Sequence, residues 1–363
     1  MKQAKIVILG SINVDISART AVYPAAGETV SGESVIIGMG GKGTNQATSA
    51  ARLGANVIMI GKQGNDFFSH IPTKHFKDES IDTRFVSVDE SVGTGSAIIE
   101  VLTTTGQNRI TVIPGANHTI TDADVLAAED EIASADILLT QMETNASSIE
   151  TFLRLAKKHG KPVVLNPAPA LPIPEAWYPM IDTITPNETE ACSYTGVSVE
   201  ETEGDSEQFG AAAKKAADEF ARRGVKHVII TCGSRGVFCA DYTGSEPFYA
   251  TVATNRVKAV DTTGAGDSFN GAYCTAVAEG MTMVEACRFA TCAATISVTR
   301  PGAAASMARR GEVDVVYNDY YHSGKQIEAY AKVLADENGI FWRAIKGTGE
   351  GGIITENDVK AKM

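Results

Sequence analysis

A chain of 363 residues with 44 acidic against 32 basic side chains has a formal net charge of −12 and lacks the basic footprint that nucleic-acid backbones demand. A hydrophobic fraction of 44% beside 21% charged residues is ordinary for a globular protein, and the length allows one large α/β domain or two smaller ones. The apolar run of MKQAKIVILG is too short for a signal-peptide core or a membrane span, so the expected setting is cytoplasmic, with no membrane partner.

In chain order, that run reads as a first buried strand. NVIMIG, ADILLTQ, KPVVLNP, MIDTITP and HVIITCG follow as further continuous apolar strands. Between them, NASSIETFLRLAKKHG and QFGAAAKKAADEFARRG read as helices closed by Gly160 and Gly224. This alternation predicts an α/β fold with a doubly wound, mostly parallel sheet, whose ligands bind beyond the carboxyl ends of the strands. Two β-branched segments break the rhythm, 27–38 and 95–113. They predict a small antiparallel lid, its strands within about 12–38 and 94–113, with an exposed apolar face that invites a homodimer. The principal domain is expected over 1–311, closing with the helix EACRFATCAATISVTR, and YNDYYHSGKQ reads as part of a linker over 312–325. A helical mini-domain or tail over 326–363 would hold an amphipathic helix, KQIEAYAKVLADENG, and a last helix capped by Thr355. The six cysteines form no CxxC pair and read as buried thiols.

Chemistry concentrates in four motifs. In DTTGAGDSFNGAY (261–273) a strand end meets a glycine loop and a helix start, where Gly264, Ala265 and Gly266 leave backbone N–H groups bare for an anion. Asp267 follows, and a carboxylate there is a poor phosphate ligand but a useful base. An alcohol beside it could lose its proton while attacking a phosphoryl group held by the amides; the plainer reading is an acidic first-turn residue. GMGGKG (38–43) matches the dinucleotide fingerprint literally, yet it does not directly follow the first strand. It is either a tight turn or a floor on which amides and Asn45 hold a polyhydroxylated ligand. GSINVD sets Asn13 and Asp15 just past the first strand. In TPNETEA (185–191), Thr185, Pro186 and Glu188 fit a capping box, which leaves Asn187 and Glu190 for phosphate and for waters around Mg²⁺.

Together GSINVD, GGKGTNQA, LNPAPA, TPNETEA, TCGSRG, DTTGAGDSFNGA and VTRPGA, in this order between residue 5 and about 310, resemble the ribokinase-like (PfkB-type) carbohydrate kinases. The resemblance implies ATP-dependent phosphorylation of the terminal (5-) hydroxyl of ribose or a close pentose. A deoxyribose or nucleoside kinase of the same family, or a non-catalytic sugar-binding regulator, is the alternative. It implies that Asp267 is the base and Gly264, Ala265 and Gly266 the anion hole, with Asn13, Asp15, Gly41, Lys42, Asn45 and Glu143 around the sugar. Asn187, Glu190, Thr231, Gly233 and Gly236 would serve ATP and its Mg²⁺, the ion held by Glu190 through water. A monovalent cation, usually K⁺, would lie among Asp261, Thr263, Ser297, Arg300, Gly302 and Ser306, mostly on backbone carbonyls. Thr291 stands where a histidine near the adenine is common. The tail, IKGTGEGGIITENDVKAK with AYAKVLADENGI before it, resembles the second half of the peripheral-subunit-binding (E3-binding) domain of 2-oxo acid dehydrogenase acyltransferases. That implies a protein partner, although Ile353 replaces the arginine that commonly follows the double glycine.

Overall fold

The structure, a computed structural model, describes residues 3–199, 206–254, 257–321, 335, 340, 345–349 and 353–362. Its strands are β1 (Lys5–Leu9), β2 (Asn13–Thr20), β3 (Ser34–Gly40), β4 (Asn56–Gly64), β5 (Asp82–Asp89), β6 (Gly95–Leu102), β7 (Asn108–Ile113), β8 (Ile137–Gln141), β9 (Val163–Asn166), β10 (Thr183–Ile184), β11 (His227–Thr231), β12 (Val237–Asp241) and β13 (Phe248–Val252). Nine of them form one sheet in the order β13-β12-β11-β10-β9-β8-β1-β4-β5. The seven from β11 to β5 pair in parallel, and β12 and β13 add an antiparallel edge.

The expected doubly wound sheet is present because its central strands are covered on both faces. In β1, Val7 and Leu9 enter one helix-covered core while Ile6 and Ile8 enter the other. A strand covered on both sides must be apolar at every position, which is why KIVIL does not alternate. Each such side chain contributes roughly 1.5–3 kcal/mol by leaving water. From β1 the order grows one way through β4 and the other way through β8, so the crevice between the ends of β1 and β8 is the switch point at which ligands bind in such sheets.

The lid is a second sheet, β3-β2-β6-β7, and it corrects two expectations. Residues 27–33 form no strand, and β2, which directly follows the first strand, takes their place. The lid is also not purely antiparallel, since β2 and β6 run parallel from Asn13↔Gly95 to Thr20↔Leu102. Both strands start at the core edge, where Asn117 grips Asn13 Oδ1 and the Ile12 backbone, and both run outward from there. The lid exposes Val35, Ile36, Ile37, Ile110 and Val112, the apolar surface foreseen for it.

The expected linker is likewise corrected, because residues 310–321 form a helix, Arg310–Tyr321. Val313 is wholly buried, Val316, Tyr317 and Tyr321 pack on the same core, and the Tyr317 ring lies edge-on to Phe289. The spacing 313, 317, 321 is one helical face, hidden in the sequence by the polar residues between. Further on, Thr355 caps the helix Glu356–Lys360 as expected. Ala335, Ile345, Ile354 and Val359 form a small apolar cluster with Ile340 against it. The amphipathic helix expected over 325–339 lies outside the described residues but for Ala335. Among the described residues no helix is long and apolar enough to cross a membrane. Five cysteines are buried, Cys192 is half-buried, and all six are free thiols.

Candidate active site

The helix Ala265–Ala278 opens at Gly264, whose φ of 77° is left-handed and whose missing side chain leaves the helix uncapped. A Cβ there would press on Ala303 at 3.2 Å. The expected run of bare amides is corrected at Ala265, whose N–H bonds to Thr262 O, whereas no described residue accepts from the amides of Gly266 and Asp267. An uncapped N-terminus with free amides offers donors that an anion could accept.

Asp267 is 6% exposed on the first turn of this helix. Its Oδ2 accepts from Asn45 Nδ2 and its Oδ1 from Gln46 Nε2, both at 2.9 Å. Burial raises its pKa, and Glu143 adds to the rise, while Lys42 and the two amides pull it back toward the ionised form. Lys42 is itself held above its usual value: burial opposes the charge, but Asp267, Glu143 and Glu190 outweigh it.

The residues expected on the sugar side converge at the switch point. Gly41, with φ 84°, is the N-cap of the helix Lys42–Arg52. A Cβ there would sit 2.8 Å from the Asn13 amide, so the motif needs glycine for close approach of the β1–β2 connection. Glu143 accepts from Ser11 Oγ at 2.5 Å and from Lys42 N–H at 2.9 Å, spanning the ends of β1 and β8. Asp15 is half-buried, and burial, then Glu143 and Asp267, push its carboxyl up to about 6. Asn45 Oδ1 is buried without a partner, an acceptor suited to a ligand hydroxyl.

A cleft of about 160 Å³ joins Lys42, Asn187, Glu190 and Thr231 to the loop Gly264–Asp267. The capping box foreseen at Thr185, Pro186 and Glu188 is corrected. The N-cap is Asn187, whose side chain accepts from Glu190 N–H while Glu190 Oε2 accepts from Asn187 N–H. Thr185, just past β10, still bonds the neighbouring strand, to Leu165 O through its N–H, and bonds Asn270 through its hydroxyl, so the helix does not begin there. No described residue holds Glu190 Oε1 or Asn187 Nδ2, which leaves one atom of each to the cleft. Burial raises the Glu190 pKa against the pull of the Asn187 amide and Lys42. Gly233 and Gly236 flank the turn after β11, outside the cleft lining, and Thr291 is buried with its hydroxyl on Cys287 O.

Asp261 ties the candidate cation loop together. Its carboxylate accepts from Thr263 N–H and Gly302 N–H, each at 2.9 Å, and these bonds help to hold its pKa down against burial. Ser297 O accepts from Arg300 N–H, the Arg300 guanidinium turns away to Glu312, and Ser306 Oγ bonds Ala303 O. Among the described residues no group of three His, Cys, Asp or Glu could hold a metal.

Four polar residues of the site were not singled out by sequence. Gln46 and Asn166 sit inside quoted motifs, beside Asn45 and before the LNPAPA proline. Ser11 lies within GSINVD. Asn117, in PGANHT, carries no local signal at all, since its role exists only through its grip on Asn13 across 104 positions.

Comparison with known proteins gives this geometry its context. A model described as pfkB family carbohydrate kinase matches residues 3–310, and one described as e3 binding domain matches residues 330–360. The chain is 41% identical over 305 residues to a ribokinase of Haemophilus influenzae, covering 84% of this chain and 95% of that one. It is 32% identical over 302 residues to a deoxyribokinase of Salmonella typhi, covering 83% and 94%. The structure of Arabidopsis thaliana ribokinase complexed with ribose and ATP aligns with a TM-score of 0.76 at 31% identity, over 87% of this chain and 99% of that one.

Proposed function

The chain belongs to the pfkB family of carbohydrate kinases, and from that premise we propose that it phosphorylates the terminal (5-) hydroxyl of ribose with ATP. The observation that carries the reading is a buried carboxylate, Asp267, fixed by two amides on the first turn of an uncapped helix. The sugar hydroxyl gives its proton to Asp267 as its oxygen bonds the γ-phosphorus. The bond from that phosphorus to the bridging oxygen breaks, and ADP leaves with the electron pair. The Gly266 and Asp267 amides, with Lys42, oppose the charge on the phosphoryl group as it passes. Asn13, Asp15, Asn45 and Glu143 orient the sugar.

Two ions fit the donors present. The free oxygen of Glu190 suits a Mg²⁺ held through water, and that ion, when bound, neutralises phosphate charge. Asp261 and the carbonyls around Thr263, Ser297, Arg300, Gly302 and Ser306 suit K⁺. Asn187 and Thr231, with Gly233 and Gly236 beyond them and Thr291 on the helix behind, form the nucleotide side.

Coupled ADP release with ribose, 2-deoxyribose, other pentoses and nucleosides tests the assignment. Turnover highest with ribose supports it, while preference for 2-deoxyribose gives the second reading, favoured by the similarity to a deoxyribokinase. No sugar-dependent turnover with any compound would leave a sugar-binding regulator. The exposed apolar lid is proposed as a homodimer surface, checked by light scattering of the lid variant Ile36→Asp. The apolar cluster around Ile354 and Val359 is proposed as the core of a mini-domain that docks a protein partner, checked by sedimentation with the E3 subunit of a 2-oxo acid dehydrogenase.

A further inference from the structure

Gln46 is wholly buried one position beyond Asn45, and both ends of its amide are committed. Its Oε1 accepts from Gln141 Nε2 at 2.7 Å, and its Nε2 donates to Asp267 Oδ1 at 2.9 Å and to Asn166 Oδ1 at 3.1 Å. Asn166 is oriented in turn by donating its own Nδ2 to Thr185 O. Turning the Gln46 amide over would set its oxygen against two acceptor oxygens and its NH₂ against the NH₂ of Gln141. All three bonds would be lost in a place water does not reach, so the amide has one orientation.

That orientation matters for the carboxylate it meets. Each oxygen of Asp267 receives one side-chain N–H, Oδ2 from Asn45 and Oδ1 from Gln46, which fixes the carboxylate plane and favours its charged form. The charges facing Asp267 come from every side: Lys42 supports ionisation, while Glu143, Asp15 and Glu190 oppose it. With three anions against one cation, neutral donors must hold the charge. We propose that Gln46, oriented by Gln141, is the positioning residue that aims the Asp267 carboxylate and keeps it ionised at neutral pH, an inference that rests on Asp267 being the base.

The test is the pH dependence of single-turnover phosphorylation of ribose by the full chain, with ribose binding measured by calorimetry. In Gln46→Leu the acidic limb should move up by at least one pH unit, with much of the lost rate recovered at high pH. Ribose affinity should stay within about threefold, because Gln46 is wholly buried with its amide committed to Gln141, Asp267 and Asn166. An even loss of rate at every pH, with the limb unmoved, would overturn the inference. Should Gln46→Leu not fold, Gln141→Leu decides, with a smaller upward shift expected and an unmoved limb refuting. Asp267→Asn is run alongside. Undiminished turnover there sinks the base assignment itself, whereas a dead Asp267→Asn beside an unmoved limb in the Gln46 variant sinks only the role of Gln46.

Discussion

Replacing Asp15 with Asn should weaken the sugar site and strengthen the fold together. Asp15 stands half-buried on β2, with the anions Glu143 and Asp267 for neighbours and no described residue donating to its carboxylate. Burial first, then those charges, raise its pKa from 3.8 to about 6. An unfolded chain releases this proton near 3.9, so between about pH 4 and 6 the folded state binds more protons. Stability is therefore lost as pH rises through that window, and the whole penalty is present above about pH 6. At about 1.4 kcal/mol per pKa unit, a rise of roughly two units costs on the order of 3 kcal/mol at pH 7. Asparagine removes the charge, so thermal unfolding at pH 7 should move up by a few degrees, and the gain should vanish near pH 4. If Asp15 accepts from a sugar hydroxyl as proposed, sugar binding needs its ionised form. Affinity of the unaltered protein should fall about tenfold between pH 8 and pH 5, as expected for a pKa near 6. In Asp15→Asn the affinity should be about 10- to 100-fold weaker at pH 8, the worth of a charge-assisted hydrogen bond, and nearly flat with pH. Calorimetry with ribose and thermal scans at pH 4, 5, 7 and 8 measure both arms. A lower Tm at pH 7 in the variant, together with a flat affinity in the unaltered protein, would refute the argument.

Other consequences can be checked with the same tools. Asp267→Asn should reduce kcat by roughly 10²–10⁴-fold, the usual worth of a general base, while ribose binding survives; near-normal turnover would contradict the mechanism. Exchange of Na⁺ for K⁺ at constant ionic strength should raise turnover if the loop tied by Asp261 holds a monovalent cation. Screening is unchanged in that exchange, so a flat response rejects the site. A chain ending at Gly311 loses the buried Val313 and the packed Tyr317 and Tyr321. It should be destabilised by several kcal/mol, with Val313 alone contributing roughly 1.5–3. A chain ending at Tyr321 should keep its stability and a turnover within a few-fold, and if it loses ribose binding the tail is integral to the kinase.

Much of this protein was determined by the sequence alone, because the signals were local. Continuous apolar runs such as KIVIL mark strands covered on both faces, and Gly264 ahead of a helix marks an uncapped terminus, although the strand end read before it is corrected: β13 stops at Val252, and the described residues from there to Gly264 form no strand. The spacing of Asn187 and Glu190 put both at a helix start, although strand pairing by Thr185 moved the cap two positions beyond the one expected. What surrounds Asp267 was decided only by tertiary structure. Asn45 and Gln46 reach it across 222 and 221 positions of chain, and Asn117 holds Asn13 from outside every motif. The parallel run of β2 beside β6, and the helix that replaced the expected linker, likewise depend on which surfaces meet. Helical and strand periods are set by neighbouring residues and can be read along the chain. A carboxylate's charge and aim are set by whichever donors and charges the fold brings within hydrogen-bonding distance, and no sequence spacing encodes those.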